Sequence, residues 1–503
     1  MTRIAILGGG ISGLTAAYEL ELARQRGVPI DWHLYESSNR LGGIIQTTRI
    51  AVPGDATPEG RYILEGGPDG WVTEKPWATD LAKELGLEDQ IIFSNDATRK
   101  TYILLNGTLQ PIPDHMRLMV PTNLSALENS PLFSTTAKQA YAAELTNAAN
   151  LKQQTPTEDE SVATFVHRHF GEEVLQTLAA PLLSGVFGGD VHKLSIRAVM
   201  PQFVTMEREH GSLIAALQSK SRIEQKPIFT SLRNGIASLT NALIAHLPPD
   251  RIHLNRPVLS LKRQGKQWLV RTFAFATEGR TSKKHFRHIL CALPLDITRT
   301  LLTPLNPTAS ALLPTEASSA ILAALAWPAE TAAQFTLPQG FGFLVPDSHQ
   351  NCHPERSPKG EVEGPAVCPN QQECKLLAAT FIHQKFPHRA PTGAQIIRAF
   401  FGGPSAKTLT NATDKAIAQT SLIQLEKILG PLPQPTLTHI RRLPRSLPQY
   451  EVGHLDRMTQ LDTQIATLPG LTLLGNAYRG VGLPDLIRDA RSAAQSLLAT
   501  LPS

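Results

Sequence analysis

The chain opens with a short apolar run, residues 3–7 (RIAIL), then three glycines, then an apolar periodicity over about 12–26. An apolar run without alternation predicts a strand buried on both faces, and the 3.6-residue period predicts a helix after it. A second strand is predicted at 31–35, a short strand and turn at 64–69, and a helix at 76–85 closed by Gly86. Residues 104–109 (LLNGTL) read as a hairpin turned by Asn106-Gly107. From about 111 to 226 the pattern is mostly helical, with helices at 172–183 and 206–219. Strands are predicted again at 251–261, 267–276 and 288–293, and residues 297–427 mix both periods. The tail repeats the opening: a strand at 471–474, a glycine-rich turn at 475–483 and a helix at 484–500. Two strand–glycine–helix units so far apart predict one domain assembled from distant segments, with a second domain between them.

The segment 347–374 stands apart, being polar, rich in Pro, Gly and charge, and without period. It is expected to be a flexible surface insertion. The chain of 503 residues exceeds what one hydrophobic core serves, so at least two domains are expected. A hydrophobic content of 42% with 18% charged residues is ordinary globular composition. The longest apolar run, 317–327, is far short of the ~20 residues of a membrane span. The first residues lack an export signal, so the expected location is the cytoplasm. Four cysteines, three of them within 347–374, do not form a disulfide framework or a zinc pattern. The 16 histidines show no H-E-x-x-H spacing, and no resident metal is expected. Basic residues are in excess by 5 but scattered, which argues against nucleic acid and suits an anionic small substrate or an anionic membrane surface.

Chemistry enters with Gly8-Gly9-Gly10-Ile11-Ser12-Gly13, a G-x-G-x-x-G between a predicted strand and a predicted helix. Gly8 permits the tight turn, Gly10 lets the backbone approach a pyrophosphate, and Gly13 lets helix and strand pack closely. The helix N-terminus offers free N–H groups to the phosphates, with Ile11 and Ser12 in its first turn. Glu36 ends the next strand, placed to accept hydrogen bonds from ribose hydroxyls. Dinucleotide binding follows from this order.

Arg40, Gly42 and Gly43 come next, and the run ESSNRLGG (36–43) resembles the second element of amine-oxidase-like flavoproteins, which implies FAD. A third element, Glu65-Gly66-Gly67-Pro68-Asp69-Gly70-Trp71, can pass its backbone close to a flat ring. The tail motif GNAYRGVGLPD (475–485) begins a helix whose N-terminus can face the flavin pyrimidine. Together with PLLSGVFGGDVHKLSIRAVMP (181–201), TMEREHGSL (205–213), FGFLVP (341–346), KFPHRAP (385–391) and LPQYEVGH (447–454), these stretches resemble the oxygen-dependent porphyrinogen oxidases of haem synthesis, the protoporphyrinogen and coproporphyrinogen oxidases.

The resemblance implies an α/β fold in which a Rossmann-like FAD-binding domain is assembled from 1–105, 226–297 and 431–503. A helical, membrane-facing region then covers 106–225 and an α+β substrate domain covers 298–430. It implies FAD held by Gly8, Gly10, Ile11, Ser12, Gly13, Glu36, Arg40, Gly42, Gly43, Gly67, Pro68, Asp69, Gly70, Val258, Gly475, Val481, Gly482 and Leu483. It also implies oxidation of a porphyrinogen by O2 through hydride transfer to the flavin. Such chemistry needs orientation more than a strong base, so no general base is nominated. A disc edged by carboxylates calls for an apolar pocket with cations at its rim, for which Arg99 and Lys100, and less directly Lys385 and Arg389, are candidates. Where protoporphyrinogen oxidases often have a basic residue directly before the aromatic of the 102–105 strand, this chain has Thr101, with Lys100 one position earlier. Product hand-off to a ferrochelatase and peripheral contact with the inner face of the cell membrane are the expected associations. Two alternatives stay open: an amine oxidase, for which the tail offers Tyr478 as its lone aromatic, and a non-catalytic flavin- or haem-binding protein.

Overall fold

The computed structural model describes residues 1–52, 60–219, 227–273, 281–346 and 374–501. Ile4, Ala5, Ile6 and Leu7 are wholly buried, which requires cover on both faces of their strand, Thr2–Leu7. That strand is the centre of a five-stranded parallel sheet in the order Ile252–His253, Ile30–Tyr35, Thr2–Leu7, His288–Cys291, Leu471–Leu473. Alternate side chains feed two cores. Ile4 and Ile6 pack under helix Ile11–Gln25 and the tail helix Leu483–Ala499, whereas Ala5 and Leu7 pack with Trp268 and Phe286 of an antiparallel meander. Each of the larger side chains contributes about 1.5–3 kcal/mol by leaving water. The meander consists of Val258–Gln264, Gln267–Phe273 and Thr281–Phe286.

A second, seven-stranded sheet runs Leu437–Pro448, Ala317–Trp327, Gln395–Phe401, Ala378–Phe381, Gly342–Leu344, Thr101–Leu105, Thr108–Pro111. Its neighbours are antiparallel except Gly342–Leu344 with Thr101–Leu105. The apolar run 317–327 is its second strand, buried over its last seven residues. The domain boundaries expected at 105 and 431 fall across this sheet, because residues 101–111 and 437–448 supply its two edges. The insertion expected at 347–374 lies outside the described residues up to 373, and its last residue, Cys374, is wholly buried in the core of this sheet.

A helical region has its own core, which includes Ile103 of the second sheet and packs against Leu344. The helix expected at 172–183 starts after a break at Gly171 (φ +82°) and runs through a π-helical turn, Leu175–Ala179, into Ala180–Phe187. The helix expected at 206–219 is two helices, Pro201–His210 and Leu213–Ser219. Gly211 separates them at φ +77°, and a Cβ there would lie 1.9 Å from the Ala148 carbonyl oxygen. The turn aims the Ser212 hydroxyl and the Leu213 N–H at the buried Glu144 carboxylate, each at 2.6 Å. The strand expected at 251–261 is likewise broken, by Asn255 at φ +53°. No helix among the described residues is long and apolar enough to cross a membrane.

Candidate functional site

Three glycine turns lie at the C-terminal ends of strands of the parallel sheet, and a fourth follows Arg61–Glu65 of an antiparallel pair with Thr47–Ala51. Gly8 (φ +99°) leaves the central strand with its N–H donated to the Tyr35 carbonyl at 2.8 Å. A Cβ on Gly13 would lie 1.9 Å from the Gly8 oxygen, so the close helix–strand approach demands glycine there. At Gly10 a Cβ would meet only Gly43 Cα, at 4.0 Å, so the space above the turn is open. Helix Ile11–Gln25 starts from Gly10 with no side-chain cap, leaving first-turn N–H groups to an incoming anion.

The second turn docks on the first through the Gly42 N–H, which donates to the Gly9 carbonyl at 2.8 Å. Arg40 wraps this turn, donating to the carbonyls of Leu41 (3.2 Å), Ile45 (3.2 Å) and Gly43 (2.5 Å). Glu36 is a brace as well as a candidate ligand. Its Oε1 accepts from the Ser38 N–H and hydroxyl at 2.8 and 2.9 Å, whereas Oε2 accepts only from the Gly9 N–H, at 2.8 Å. The carboxylate oxygen with spare lone-pair capacity therefore lies over the first turn.

The third turn docks on the second: the Gly66 N–H donates to Gln46 at 2.8 Å, and a Cβ on Gly67 would lie 2.6 Å from the Ile44 oxygen. Residues 67–70 are half-buried, open on one side and held from beneath on the other. The tail supplies the fourth. Gly475 (φ +126°) has no atom within 4 Å of a Cβ position, and helix Leu483–Ala499 starts from Gly482 without a side-chain cap. Leu483 shares a core with Ile11, Ile45 and Trp71, while Val481 packs on the core of the helical region. The Lys75 ammonium, 2.6 Å from Asp485, ties the tail helix to the stretch after the third turn. Open space at Gly10 and Gly475, two uncapped helix N-termini and closely stacked turns fit an extended dinucleotide bearing a flat ring.

Val258 begins strand Val258–Gln264, two residues after Arg256, whose N–H donates to the Glu36 carbonyl at 2.8 Å. Arg99 and Lys100 are exposed at the start of Thr101–Leu105. The Arg99 guanidinium lies 3.6 Å from Asp96, and the Lys100 side chain has no protein partner among the described residues. Lys385 and Arg389 are not rim cations. Both are buried beneath the third turn, Lys385 at 3.1 Å from Asp69 and Arg389 at 3.1 Å from Glu65, because each neutralises a carboxylate that folding takes out of water. Tyr478 does not flank the cleft either. Its ring is buried in the core with Cys291, and its carbonyl accepts from His454 Nε2 at 2.8 Å.

Residues that the sequence did not single out brace the site. Arg398, 3% exposed, donates to the Gly67 carbonyl at 2.6 Å and lies 3.1 Å from Asp69. Ser231 donates to the Asp69 carbonyl at 2.6 Å, and Arg441 to the Gly66 carbonyl at 3.3 Å. Burial pushes the Asp69 carboxyl up, but the Lys385 and Arg398 charges outweigh it and hold it down at about 2. Behind the tail turn, the Tyr450 hydroxyl bridges the Asn476 carbonyl (2.7 Å) and the Gly480 N–H (2.9 Å). Its ring stacks on His454 at 3.9 Å, and burial lowers that imidazole to about 4, leaving it neutral. A lone arginine inside the apolar strand sequence QIIRAFF (395–401) was the available sign of a buried partner for Arg398.

The family described as "Flavin containing amine oxidoreductase" matches residues 11–498. The coproporphyrinogen III oxidase of Bacillus subtilis (strain 168) is 29% identical, over 99% of this chain and 98% of its own. The protoporphyrinogen oxidase of Homo sapiens is 30% identical, over 99% of each chain. A crystal structure of a candidate protoporphyrinogen oxidase from Exiguobacterium sp. 255-15 superposes with a TM-score of 0.80 at 29% identity, covering 99% of both chains. With that family match covering residues 11–498, the chain belongs to the flavin-containing amine oxidoreductase family.

Proposed function

We propose that this chain is an FAD-dependent porphyrinogen oxidase of haem biosynthesis, oxidising coproporphyrinogen III to coproporphyrin III, protoporphyrinogen IX to protoporphyrin IX, or both. The observation that carries the reading is similarity over almost the whole chain to relatives that bear these two names. Bound FAD would supply the acceptor for a hydride from the macrocycle and its reoxidation by O2. Each round removes two electrons and two protons and reduces one O2 to H2O2, and three rounds give the porphyrin.

The chain's own part is binding and orientation. Gly8, Gly10, Ile11, Ser12 and Gly13 would hold the pyrophosphate, Glu36 the ribose, and Val258 the adenine side. Arg40, Gly42 and Gly43 would close the second turn over the cofactor, with Gly67, Pro68, Asp69 and Gly70 against the ring. Gly475, Val481, Gly482 and Leu483 would present a helix N-terminus to the pyrimidine. Arg99 and Lys100 remain the rim cations for the substrate carboxylates, and their freedom from strong protein partners supports that role. Buried Tyr478 disfavours an amine oxidase, which would need an aromatic wall at the flavin. The associations that complete the reading are hand-off of the porphyrin to a ferrochelatase and peripheral membrane contact through the helical region.

The test is a parallel aerobic assay of both porphyrinogens at equal concentration, following porphyrin fluorescence and peroxide. Oxidation of at least one at three H2O2 per porphyrin is expected. FAD-loaded protein that turns over neither overturns the reading.

A further inference from the structure

We propose that Arg398, Arg389 and Lys385 are positioning residues for the flavin: they fix the 66–70 turn, the arginines through its carbonyls and Lys385 through the Asp69 carboxylate, and their surplus positive charge raises the reduction potential of the ring held against it. The inference rests on the FAD reading above and deepens it.

The turn is held from beneath, carbonyl by carbonyl. Gly67 accepts from Arg398 at 2.6 Å, and Asp69 accepts from Ser231 at 2.6 Å and from Arg389 at 3.4 Å. The Arg389 guanidinium, wholly buried, also donates to the Ser231 hydroxyl at 2.5 Å and lies 3.1 Å from Glu65. Lys385 reaches Asp69 at 3.1 Å with its ammonium over the Phe229 ring at 4.1 Å. Glu65 is further held by the Thr47 hydroxyl at 2.7 Å and the Ile236 N–H at 2.8 Å.

Three buried cations thus face two carboxylates, Glu65 and Asp69, and a fourth, the half-buried Arg441, sits on the Gly66 carbonyl of the same turn. Burying a guanidinium costs several kcal/mol unless it is compensated (order of magnitude). Holding the Asp69 carbonyl does not require that cost, because the neutral Ser231 hydroxyl already donates to it at 2.6 Å. The surplus positive charge is therefore more than the scaffold needs. It sits under the one side of the turn that is closed, while the half-buried face of 67–70 is open to a flat ring. A fixed cation near a ring that gains negative charge on reduction favours the reduced form.

The test uses the FAD-loaded protein, with the flavin potential measured by dye equilibration and FAD affinity measured alongside. Arg398→Gln is expected to bind reduced FAD at least tenfold less tightly relative to oxidised FAD, a fall of about 30 mV for a two-electron couple. Arg398→Lys is expected to restore most of that difference. Asp69→Asn, which removes a negative charge from the same cluster, is expected to move the potential upward, and Lys385→Met downward. A merely structural role gives shifts without this alternation of sign. Potentials that stay put, or that move the same way in the cation and carboxylate variants, overturn the inference. Should Arg398→Gln fail to fold, Asp69→Asn and Lys385→Met decide it. Parent protein that takes up no FAD fails at the functional reading, whereas FAD-bound variants with unmoved potentials fail at this one alone.

Discussion

His169 has no exposed side-chain surface, with Nδ1 3.1 Å from Glu144 and Nε2 3.3 Å from Glu207. Arg168, beside it in sequence, pairs with Glu207 and Glu160, so the cluster joins three helices of the helical region. Burial alone would lower the imidazole pKa, but the two carboxylates outweigh it and raise it above 6.5. A raised folded pKa stabilises fully below the unfolded value, and the benefit is lost as pH rises through the folded one, at about 1.4 kcal/mol per unit of elevation. Chemical denaturation is expected to show stability falling as pH climbs past that value, and His169→Gln is expected to flatten the slope. A parent whose stability is level from pH 6 to 9 would refute this account. At this scale the glycines of the turns were legible because backbone geometry alone demands them. Arg398 was not, because its carbonyl partner Gly67 is 331 residues away and no local pattern records it. Lys385 and Arg389 were misread for the same reason: a cation's sequence neighbourhood does not say whether a buried carboxylate claims it.

Among elements, those defined by local chemistry were legible. Asn106 and Gly107 both take positive φ, 49° and 76°, as a two-residue hairpin turn requires. The opening strand, helix and strand fall within a residue or two of expectation. The breaks at Gly211 and Asn255 were missed, because a continuous apolar period hides a turn that tertiary contacts impose. At Gly211 the cause is the reach of Ser212 and Leu213 to Glu144, and the left-handed backbone is crowded against Ala148. Gly211→Ala is expected to destabilise the protein by about 1–3 kcal/mol, from strain and overpacking together. Urea denaturation measures it, and a change below about 0.5 kcal/mol, the usual range of a surface substitution, would contradict the packing described.

For the whole molecule, the sequence disclosed the essential topology: strand–glycine–helix units at both ends belong to one parallel sheet. The boundary of the second sheet was not readable, because its edges are strands 101–111 and 437–448, whose partners lie far off in sequence. Joining by the tail has a mechanical cost. Leu471–Leu473 closes one edge of the parallel sheet, and Arg491 of the last helix pairs with Glu19 at 3.0 Å and also with Glu84. A chain truncated before residue 471 is expected to lose FAD uptake and cooperative unfolding together, as judged by flavin fluorescence and calorimetry. A truncated protein that still binds FAD would show the tail to be dispensable.

The long separation in sequence between Gly8–Gly13 and Gly475–Leu483 also bears on biogenesis. A ribosome emits Gly8 to Gly13 long before Gly475 to Leu483. The turns of the candidate site cannot all be assembled until the later stretch has emerged. Until residues 471–499 follow, the half-built sheet has an unpaired edge at His288–Cys291 and an uncovered flank on helix Ile11–Gln25, the kind of surface that chaperones shield.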